Sequence, residues 1–455
     1  MKNFKRLLSV VLTVMLIVGI IPFSDLMVSA EESGTAGSCR WSIKNNVLTI
    51  SGEGMIPHYE EADNRKPWRH YDPYIEKIVI EKGVTAIGSN AFESCNALTE
   101  VIIADTVTII YSDAFWNCEK LKSITIPDSV TKIQYRAFWG CSALENITLP
   151  DTLTYIGENV FGATTYKANE ENWVDGVLYV GNYLIEGRES VVNCNVRPGT
   201  ILIADSAFQR YSVSYPFSLE SLILPDSLKY INYNAFEYAE NLKTVKFGKN
   251  LKAIDQYAFK GCSSITEIVL PDSLTSLGDY AFTYCTSAKY LVIGKGLEKI
   301  PQGAFGNCEK LENIVIPKNL KEVVSTTFPH YFTSNTNVWY EGSDMSEIKN
   351  ITNQKISKCN WHYNILIKNG HVYDNEEDLI CNICNEERPP YILGDVSDDG
   401  YADLNDIVVL SQYVAGWQDI TYNEKALDTN GSGAVDLNDI VHLAQYVAGW
   451  NVEIF

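Results

Sequence analysis

The segment SITIPDSVTKIQYRAFWGCSALE, residues 123–145, decides the fold because its pattern returns along most of the chain. Two further segments, EIVLPDSLTSLGDYAFTYCTSAK (267–289) and YLVIGKGLEKIPQGAFGNCEKLE (290–312), align with it without gaps at 23 residues. Phenylalanine recurs at residues 92, 115, 138 and 161 and at 236, 259, 282, 305 and 328, with Phe208 between the two runs. The sequence therefore contains about ten repeats, and this periodicity is typical of a solenoid.

Each repeat combines a strand, a turn and a second apolar stretch. In the first segment Ile124 and Ile126 alternate with polar residues, a Pro-Asp-Ser turn comes next, and apolar residues return from Val130 to Leu144. One such unit cannot bury its own apolar face, whereas stacked units place each Phe on the Phe of the next repeat. We therefore expect a continuous core and a parallel sheet along one side.

The pattern resembles the BspA-type leucine-rich repeat of bacterial surface proteins over roughly residues 76–330. The resemblance implies an α/β solenoid of about ten 23-residue leucine-rich repeats, which we assign to residues 76–358. Residues 31–75 contain a predicted hairpin that turns at Asn45 and Asn46, and we expect this segment to cap the solenoid. An irregular stretch at about 164–195 is interpreted as an inserted hairpin, with a functional protrusion as the alternative.

Six of the eleven cysteines follow the repeat, since residues 95, 118 and 141 and residues 262, 285 and 308 are 23 apart. We interpret them as small buried thiols at equivalent core positions. Disulfides between neighbouring repeats are the alternative, because stacking brings such positions within bridging range.

The outward-facing residue of each strand is expected to lie between two inward-facing ones. These positions are Val79, Ile102, Thr125, Thr148, Leu202, Ile223, Lys246, Val269, Val292 and Val315. Seven of the ten are apolar, so Ile102, Ile223, Val269, Val292 and Val315 are candidates for a ligand-binding face. The alternative is that β-branched residues simply suit a sheet. Trp116 and Trp139 occupy equivalent positions and are either a stacked pair that contacts sugars or local packing.

Residues 1–30 have a basic start, an apolar run from Leu7 to Ile21, and small residues at Val28 and Ala30. This layout predicts a secretory signal peptide, with an uncleaved membrane anchor as the alternative. We therefore expect a secreted, extracellular protein without a transmembrane anchor after signal cleavage.

The formal net charge of −21 argues against nucleic acid as a partner, since phosphate binding needs an excess of Lys and Arg. Residues 391–455 contain eleven Asp or Glu and one Lys. Such a density of like charge is unfavourable unless cations neutralise it, so it indicates bound metal in this segment.

Two acidic loops in this segment, GDVSDDGYADLND (394–406) and LDTNGSGAVDLND (427–439), have the spacing of calcium ligands. Calcium needs six to eight oxygen ligands, and a Gly at the sixth position, here Gly400 and Gly433, permits the sharp turn. The candidate ligands for two calcium ions are Asp395, Ser397, Asp399, Tyr401, Asp403 and Asp406 in the first loop, and Asp428, Asn430, Ser432, Ala434, Asp436 and Asp439 in the second. Pro389 and Pro390 prevent an entering helix, so only an exiting helix is expected.

The duplicated loop and helix resemble a type I dockerin over residues 394–450, within a domain assigned to 391–455. The resemblance implies a small all-α calcium-binding domain whose partner is the cohesin module of a scaffoldin protein. It places cohesin recognition at Leu404, Asn405, Leu437 and Asn438, and it implies attachment to a cellulosome that degrades polysaccharide. Ser397 and Ser432 replace the commoner Asp or Asn of the family, and a neutral hydroxyl should weaken calcium binding.

Residues 359–390 are interpreted as a linker that contains Cys and His. His371, Cys381 and Cys384 are zinc-ligand types, and Cys381 and Cys384 have C-x-x-C spacing. The stretch is similar to small His/Cys motifs of other secreted proteins of anaerobes, in which a further Cys lies near the position of Glu377. Zinc would need Glu377 as its fourth ligand, and a disulfide or an unliganded linker is the alternative.

These assignments leave no stretch long enough for a separate catalytic domain. We therefore expect a non-catalytic interaction protein whose solenoid binds an unknown protein or polysaccharide. The alternatives are a cell-surface adhesin or inhibitor and, less favoured, a glycoside hydrolase component with catalytic carboxylates on the solenoid.

Overall fold

The computed structural model describes residues 32–59, 65–209, 218–324, 327–328, 336–342, 360–363, 366–368 and 371–373, and the single positions 410, 435, 440 and 443. These residues form a β-solenoid of about eleven turns, which confirms the predicted leucine-rich repeat architecture. Helix is scarce in the described part of the solenoid: it comprises a 3-10 helix at Arg69–Tyr74, helix α1 at Thr165–Ala168 and a 3-10 helix at Glu170–Asn172. The described repeats therefore consist of strands and turns, and the helical part of the expected α/β solenoid is almost absent.

The N-terminal segment covers the first repeat with four strands. They are β1 Glu32–Ala36, β2 Cys39–Lys44, β3 Val47–Gly52 and β4 Gly54–Met55. Strands β2 and β3 form the expected antiparallel hairpin, and Asn45 and Asn46 make its turn with left-handed φ angles of 50° and 63°. The fully buried Trp68 stacks on Phe92 with ring centroids 5.8 Å apart, so it closes the end of the phenylalanine column.

The first half of the solenoid contains two rows of parallel strands. Its strands are β5 Lys77–Ile80, β6 Val84–Ile87, β7 Glu100–Ile103, β8 Ile109–Ile110, β9 Ser123–Thr125, β10 Lys132–Ile133, β11 Asn146–Thr148 and β12 Tyr155–Ile156. The odd-numbered strands form the first row and the even-numbered strands the second. Each repeat thus contributes one strand to each row.

The irregular stretch contains an inserted hairpin that lies inside the array. Its strands are β13 Trp173–Val174, β14 Val177–Val180 and β15 Tyr183–Gly187, and they pair antiparallel. Both faces of the hairpin are buried: Leu178, Val180 and Tyr183 belong to the core of the first half, whereas Tyr179 and Leu184 belong to that of the second. The hairpin is therefore a wall between two hydrophobic cores and not a protrusion.

The second half repeats the two-row arrangement. Its strands are β16 Asn193–Asn195, β17 Leu202–Ile203, β18 Ser221–Ile223, β19 Tyr230–Ile231, β20 Thr244–Lys246, β21 Ala253–Ile254, β22 Glu267–Val269, β23 Ser276–Leu277, β24 Tyr290–Val292, β25 Lys299–Ile300, β26 Asn313–Ile316 and β27 Glu322–Val323. Here the even-numbered strands form the first row. Strand β15 pairs in parallel with β17, which joins the wall to this half.

Strand pairing continues beyond the predicted end of the solenoid at residue 358. Strand β28 Asn337–Tyr340 pairs in parallel with β26, and β29 Asn360–Tyr363 pairs in parallel with β28. Strands β30 Leu366–Lys368 and β31 His371–Tyr373 then form an antiparallel pair. The first residues assigned to the linker therefore extend the first row. In the described part of the chain no helix has the length and apolarity needed to cross a membrane.

Stacked rings and buried thiols fill both cores. Neighbouring phenylalanines stack with centroids 5.0 to 6.0 Å apart, and Phe208 packs against Gly187 of the wall. Cys118, Cys141, Cys262, Cys285 and Cys308 each direct the thiol to the carbonyl oxygen of a Phe in the preceding repeat. Eight cysteines of the described residues are buried free thiols, in agreement with the buried-thiol interpretation. The period of 23 thus places a weak donor against the same carbonyl in each turn.

Candidate functional site

The twelve candidate calcium ligands and the four candidate cohesin-binding residues lie outside the described residues. The same holds for Glu377, Cys381 and Cys384 of the candidate zinc site, whereas the backbone of His371 belongs to β31. Leu410 and Leu443 are helical and fully buried. They occupy the same position in the two copies of the segment that comes after each acidic loop.

The outer face of the first row is only partly apolar and exposed. Ile102, Ile223 and Val269 are 44%, 45% and 38% exposed. Val292 and Val315 are buried, which contradicts their assignment to an exposed ligand face. The cause is Trp339 of β28, which packs with both valines and donates its indole N–H to Asn313 Oδ1 at 3.2 Å.

Leu202 is also not on this face. It is fully buried in the second row, where it pairs with Tyr183 and Tyr230. The first-row residue of this repeat is Asn195, which pairs with Ile223. The hairpin shifts the repeat register here, so counting along the sequence selects the wrong strand. The exposed aliphatic residues are thus separated by polar ones and do not form a continuous ridge.

Trp116 and Trp139 stack with centroids 5.8 Å apart and an interplanar angle of 9°. Both rings are half-buried, and the guanidinium of Arg136 lies 5.7 Å from the centroid of Trp139. Gly162 of the next repeat lies directly against the Trp139 ring. These contacts show local packing of the pair, and its sugar-binding alternative stays a prediction.

The sequence contains no hint of an acidic cleft at the junction of the wall and the second-row turns. Glu158, Lys167, Glu186, Asp205 and Ser206 line it. The ammonium group of Lys167 forms an ion pair with Glu186, and Ser206 Oγ donates to Glu158 Oε2 at 3.4 Å. Glu158 and Asp205 occupy the same position of adjacent solenoid turns but are separated in sequence by the hairpin, and the spacing of 23 therefore does not reveal them.

Asp205 is the most perturbed carboxyl group of this cleft. It is 7% exposed, its Oδ2 accepts a hydrogen bond from the Tyr155 hydroxyl, and its Oδ1 is buried with no hydrogen-bond partner in the described part of the protein. Burial raises the pKa of Asp205 to about 8. The negative charges of Asp255 and Glu158 also raise this pKa, whereas the hydrogen bond from Tyr155 lowers it. The carboxyl group is therefore largely protonated at neutral pH.

The cleft does not have the chemistry of a metal centre. Among the described residues no group of three or more His, Cys, Asp and Glu side chains is arranged to hold a metal ion. Lys167 already neutralises Glu186, and a protonated Asp205 is a poor cation ligand. The side chains that line the cleft are polar contacts between the wall and the neighbouring repeats.

Comparisons with known proteins identify two kinds of module. The BspA type leucine rich repeat region matches residues 70–192 and 203–334, and the dockerin type I domain matches residues 393–448. A search of curated proteins finds no significant match.

Similar solved structures are bacterial leucine-rich repeat proteins. A leucine-rich repeat protein of Bacteroides ovatus is 25% identical, with 63% of this chain and 66% of that chain covered and a TM-score of 0.32. The pneumococcal vaccine antigen PcpA is 18% identical, with 74% and 99% covered and a TM-score of 0.36. A leucine rich cell surface protein of Faecalibacterium prausnitzii is 26% identical, with 63% and 94% covered and a TM-score of 0.30. The two family matches are decisive: the chain belongs to the BspA-type leucine-rich repeat family and carries a type I dockerin domain.

Proposed function

We propose that this protein is a secreted, non-catalytic interaction protein that a dockerin attaches to the cohesin module of a scaffoldin. The solenoid would then be displayed as a binding module in a cellulosome for polysaccharide degradation. The observation that carries the proposal is the match of a dockerin type I domain at residues 393–448 in the same chain as a leucine-rich repeat region that ends at residue 334.

The paired loops support a calcium-dependent attachment. Alternate oxygens in each loop, from Asp395 to Asp406 and from Asp428 to Asp439, have the spacing that a calcium ion requires. Two bound ions would offset much of the negative charge of residues 391–455 and would hold each loop against its exiting helix. Since Ser397 and Ser432 supply neutral hydroxyl groups, we expect weaker calcium binding than in loops with a carboxylate at this position.

A non-catalytic role agrees with both matched families, which are binding modules. Over the described repeats, the exposed strand positions of the first row's outer face are mostly aliphatic or uncharged polar side chains. The two carboxylates among them, Glu100 and Glu267, lie in repeats far apart and do not form a pair. An adhesin or inhibitor that targets a neighbouring cell is the alternative, and it differs from the proposal only in the ligand of the solenoid. Release of reducing sugar from cell-wall glycans by the purified chain would contradict the non-catalytic role.

The attachment is tested by capture of the full chain on immobilised type I cohesin in calcium and in an excess of chelator. We expect capture in calcium and none in chelator, because the loops cannot hold their shape when their carboxylates repel one another. Capture that survives chelation, or no capture in calcium by any member of a panel of type I cohesins, would refute the proposed attachment.

The near-identity of the two loop-helix copies predicts two equivalent cohesin-binding orientations. Leu404→Ala with Asn405→Ala should leave the affinity within about threefold, and Leu437→Ala with Asn438→Ala should do the same, because the other copy can still bind. All four substitutions together should weaken binding by at least about 100-fold. Loss of binding in only one of the two paired variants would show a single binding mode.

A further inference from the structure

Each repeat described at both positions has left-handed φ angles two residues before and two residues after its Phe. Most are occupied by Asn, Asp, Ser or Gly, the residues that tolerate this conformation. The exceptions are Arg136, Ala163 and four tyrosines: Tyr238, Tyr257, Tyr280 and Tyr284 have φ angles of 59°, 59°, 58° and 62°. A bulky side chain at such an angle is unfavourable, and strained residues cluster at functional sites. The four tyrosines lie in three successive repeats, those of Phe236, Phe259 and Phe282.

The four tyrosines and Tyr233 form one surface, which we call the tyrosine strip. Tyr257 stacks on Tyr280 with centroids 5.5 Å apart, and Tyr233 meets Tyr257 edge to face at 5.7 Å. The ammonium group of Lys260 lies 5.0 Å from the centroid of Tyr238 and 4.8 Å from that of Tyr257, so it joins the two sides of the strip. The rings of Tyr233, Tyr238, Tyr257 and Tyr280 are thus linked directly or through Lys260. Tyr284 holds the position equivalent to Tyr238 two repeats further on.

The strip is open to solvent although its residues are large and apolar. Tyr238 and Tyr284 are 39% and 50% exposed, and Tyr233 is 36% exposed. Gly261 lies under the ring of Tyr238 and Gly303 under that of Tyr280, where any Cβ atom would lie 2.4 Å or less from the ring. The absence of a side chain at these two glycines leaves room for the edge of each ring beside the backbone of the next repeat.

Polar groups border the strip, and two of them form an ion pair. The ammonium group of Lys260 pairs with Glu237 Oε1 at 2.7 Å, and Glu237 also accepts a hydrogen bond from Gln209 at 2.6 Å. A neutral ligand with many hydroxyl groups fits this border, since the hydroxyls can share hydrogen bonds with the paired charges while apolar C–H groups cover the rings. A strongly charged ligand would have to separate the ion pair.

The spacing of the rings distinguishes one such ligand. Phe236, Phe259 and Phe282 stack with successive centroids 5.0 Å apart, so equivalent positions two repeats apart are separated by about 10 Å. Tyr238 and Tyr284 are such a pair, and the position between them is Gly261. An extended β-1,4-linked glucan has a disaccharide unit of this length, and every second sugar presents the same face.

We propose that the tyrosine strip binds an extended, uncharged β-1,4-linked glucan, with alternate sugars on Tyr238 and Tyr284. The proposal rests on the proposed function, in which the solenoid is a binding module, and gives that module its ligand class. The rings supply apolar faces for the sugars, and Lys260 and Glu237 supply hydrogen bonds to the hydroxyl groups between them.

The test uses the full chain and cellohexaose in isothermal titration calorimetry. The decisive variant is Tyr238→Asn with Tyr284→Asn, because Asn117 and Asn307 hold the same left-handed conformation at the equivalent positions of other repeats. We expect the variant to keep its denaturation midpoint or to raise it. Each substitution should weaken cellohexaose binding by about tenfold.

The matched control is Tyr135→Ser, which removes an exposed tyrosine of a repeat outside the strip at a position where another repeat has Ser112. It should leave cellohexaose affinity unchanged. The proposal is overturned if the native chain does not bind cellohexaose, if the tyrosine variant binds equally well, or if the control loses as much affinity. Binding of a proline-rich peptide at the strip without glucan binding would also overturn it, by showing a protein ligand.

Cohesin capture of the same samples separates this proposal from the proposed function. Cohesin capture without glucan binding would refute only the proposed glucan ligand. Glucan binding without cohesin capture would refute only the proposed attachment to a scaffoldin.

Discussion

Asp205 shows how one residue at the edge of a repeat makes the stability of the solenoid depend on pH. Its carboxyl group is buried and has a pKa of about 8, far above the ordinary range of an aspartate side chain. The folded chain therefore keeps a proton that the unfolded chain releases at a much lower pH. The contribution of this group to stability is fully present below about pH 4, the ordinary pKa of an unfolded Asp, and it is lost as the pH rises through 8.

We predict that Asp205→Asn flattens this dependence. The amide oxygen can still accept the hydrogen bond of Tyr155, while no charge has to be buried at high pH. At about pH 8.5 the variant should gain on the order of a few kcal/mol in free energy of unfolding, and at about pH 4 it should change little. Denaturant unfolding at a series of pH values measures the difference.

The control for this substitution is Asp128→Asn, since Asp128 is exposed in a Pro-Asp-Ser turn. Its effect on the free energy of unfolding is measured at the same pH values as that of Asp205→Asn. An Asp205→Asn variant whose gain is the same at both pH values would show that titration of this group is not the cause.

At the residue scale the sequence predicts which residues recur at equivalent positions of the repeats. It does not predict contacts that arise where the inserted hairpin or the irregular end of the array interrupts the repeats. The buried cysteines and the column of phenylalanines can be predicted from the period of 23 alone. The proximity of Glu158 to Asp205 cannot be predicted, because the residues of the hairpin lie between them in sequence and remove the spacing of 23. Val292 and Val315 are buried by Trp339, which belongs to the irregular end of the array where no period predicts a neighbour.

The element that decides the arrangement of the two halves is the β14–β15 hairpin. The first residues of strand β15 pair with strand β17. Beyond this pairing, the backbone N–H of Asp205 donates a hydrogen bond to the carbonyl oxygen of Ile156, in the first half, at 2.9 Å. The gap beside that bond is closed by a side chain: Asn232 Oδ1 accepts from the N–H of Ile156 at 3.0 Å, and its Nδ2 donates to the carbonyl of Thr154 at 3.2 Å. Asn232 thus replaces part of a strand.

Asn232→Ala should consequently destabilise the protein more than most polar truncations. It leaves the buried N–H of Ile156 without its acceptor, which costs about 1–3 kcal/mol. The expected result is a lower denaturation midpoint and faster amide exchange at residues 154–156. Gln134→Ala is the matched control because Gln134 holds the same position of another repeat and is only half-buried; a loss of equal size there would argue against a special role for Asn232.

The tyrosine strip, like the hairpin, could not be predicted from the period of the repeats. The left-handed turn positions become visible only with backbone angles, and the sequence merely shows that Tyr replaces Asn or Gly in some repeats. The outward strand positions, in contrast, were predicted correctly for Ile102, Ile223 and Val269, because alternation along a strand is a local property.

The whole solenoid consists of two hydrophobic cores that share the hairpin as a boundary. Phe115 belongs to the first core and Phe259 to the second, and both side chains are fully buried. In a repeat protein each unit contacts only its neighbours, so a wall between two cores weakens their coupling. We therefore expect the two halves to unfold in separable steps.

Two matched substitutions test this expectation. Phe115→Ala should destabilise the first half by about 3–5 kcal/mol and leave the second nearly unchanged, and Phe259→Ala should do the reverse. Amide exchange in rising denaturant, measured separately for residues 78–161 and 222–323, reports on each half. If either substitution lowered the protection of both halves by the same amount, the solenoid would be one cooperative unit.

At this largest scale the sequence predicted the order of the modules and the class of fold, since a repeat and a duplicated acidic loop are both visible as patterns. It could not show that the inserted hairpin divides the core, because burial on both faces of β14 and β15 depends on the repeats on either side.

The unpaired thiols inside both cores determine how the folded chain reacts with thiol reagents. Secreted proteins commonly rely on oxidants to form disulfides before they are stable. Here the eight described cysteines are buried and unbridged, and several stabilise the stack as hydrogen-bond donors to neighbouring turns. Because the folded core keeps these thiols away from solvent, we expect a thiol-blocking reagent to label them only after the repeats unfold.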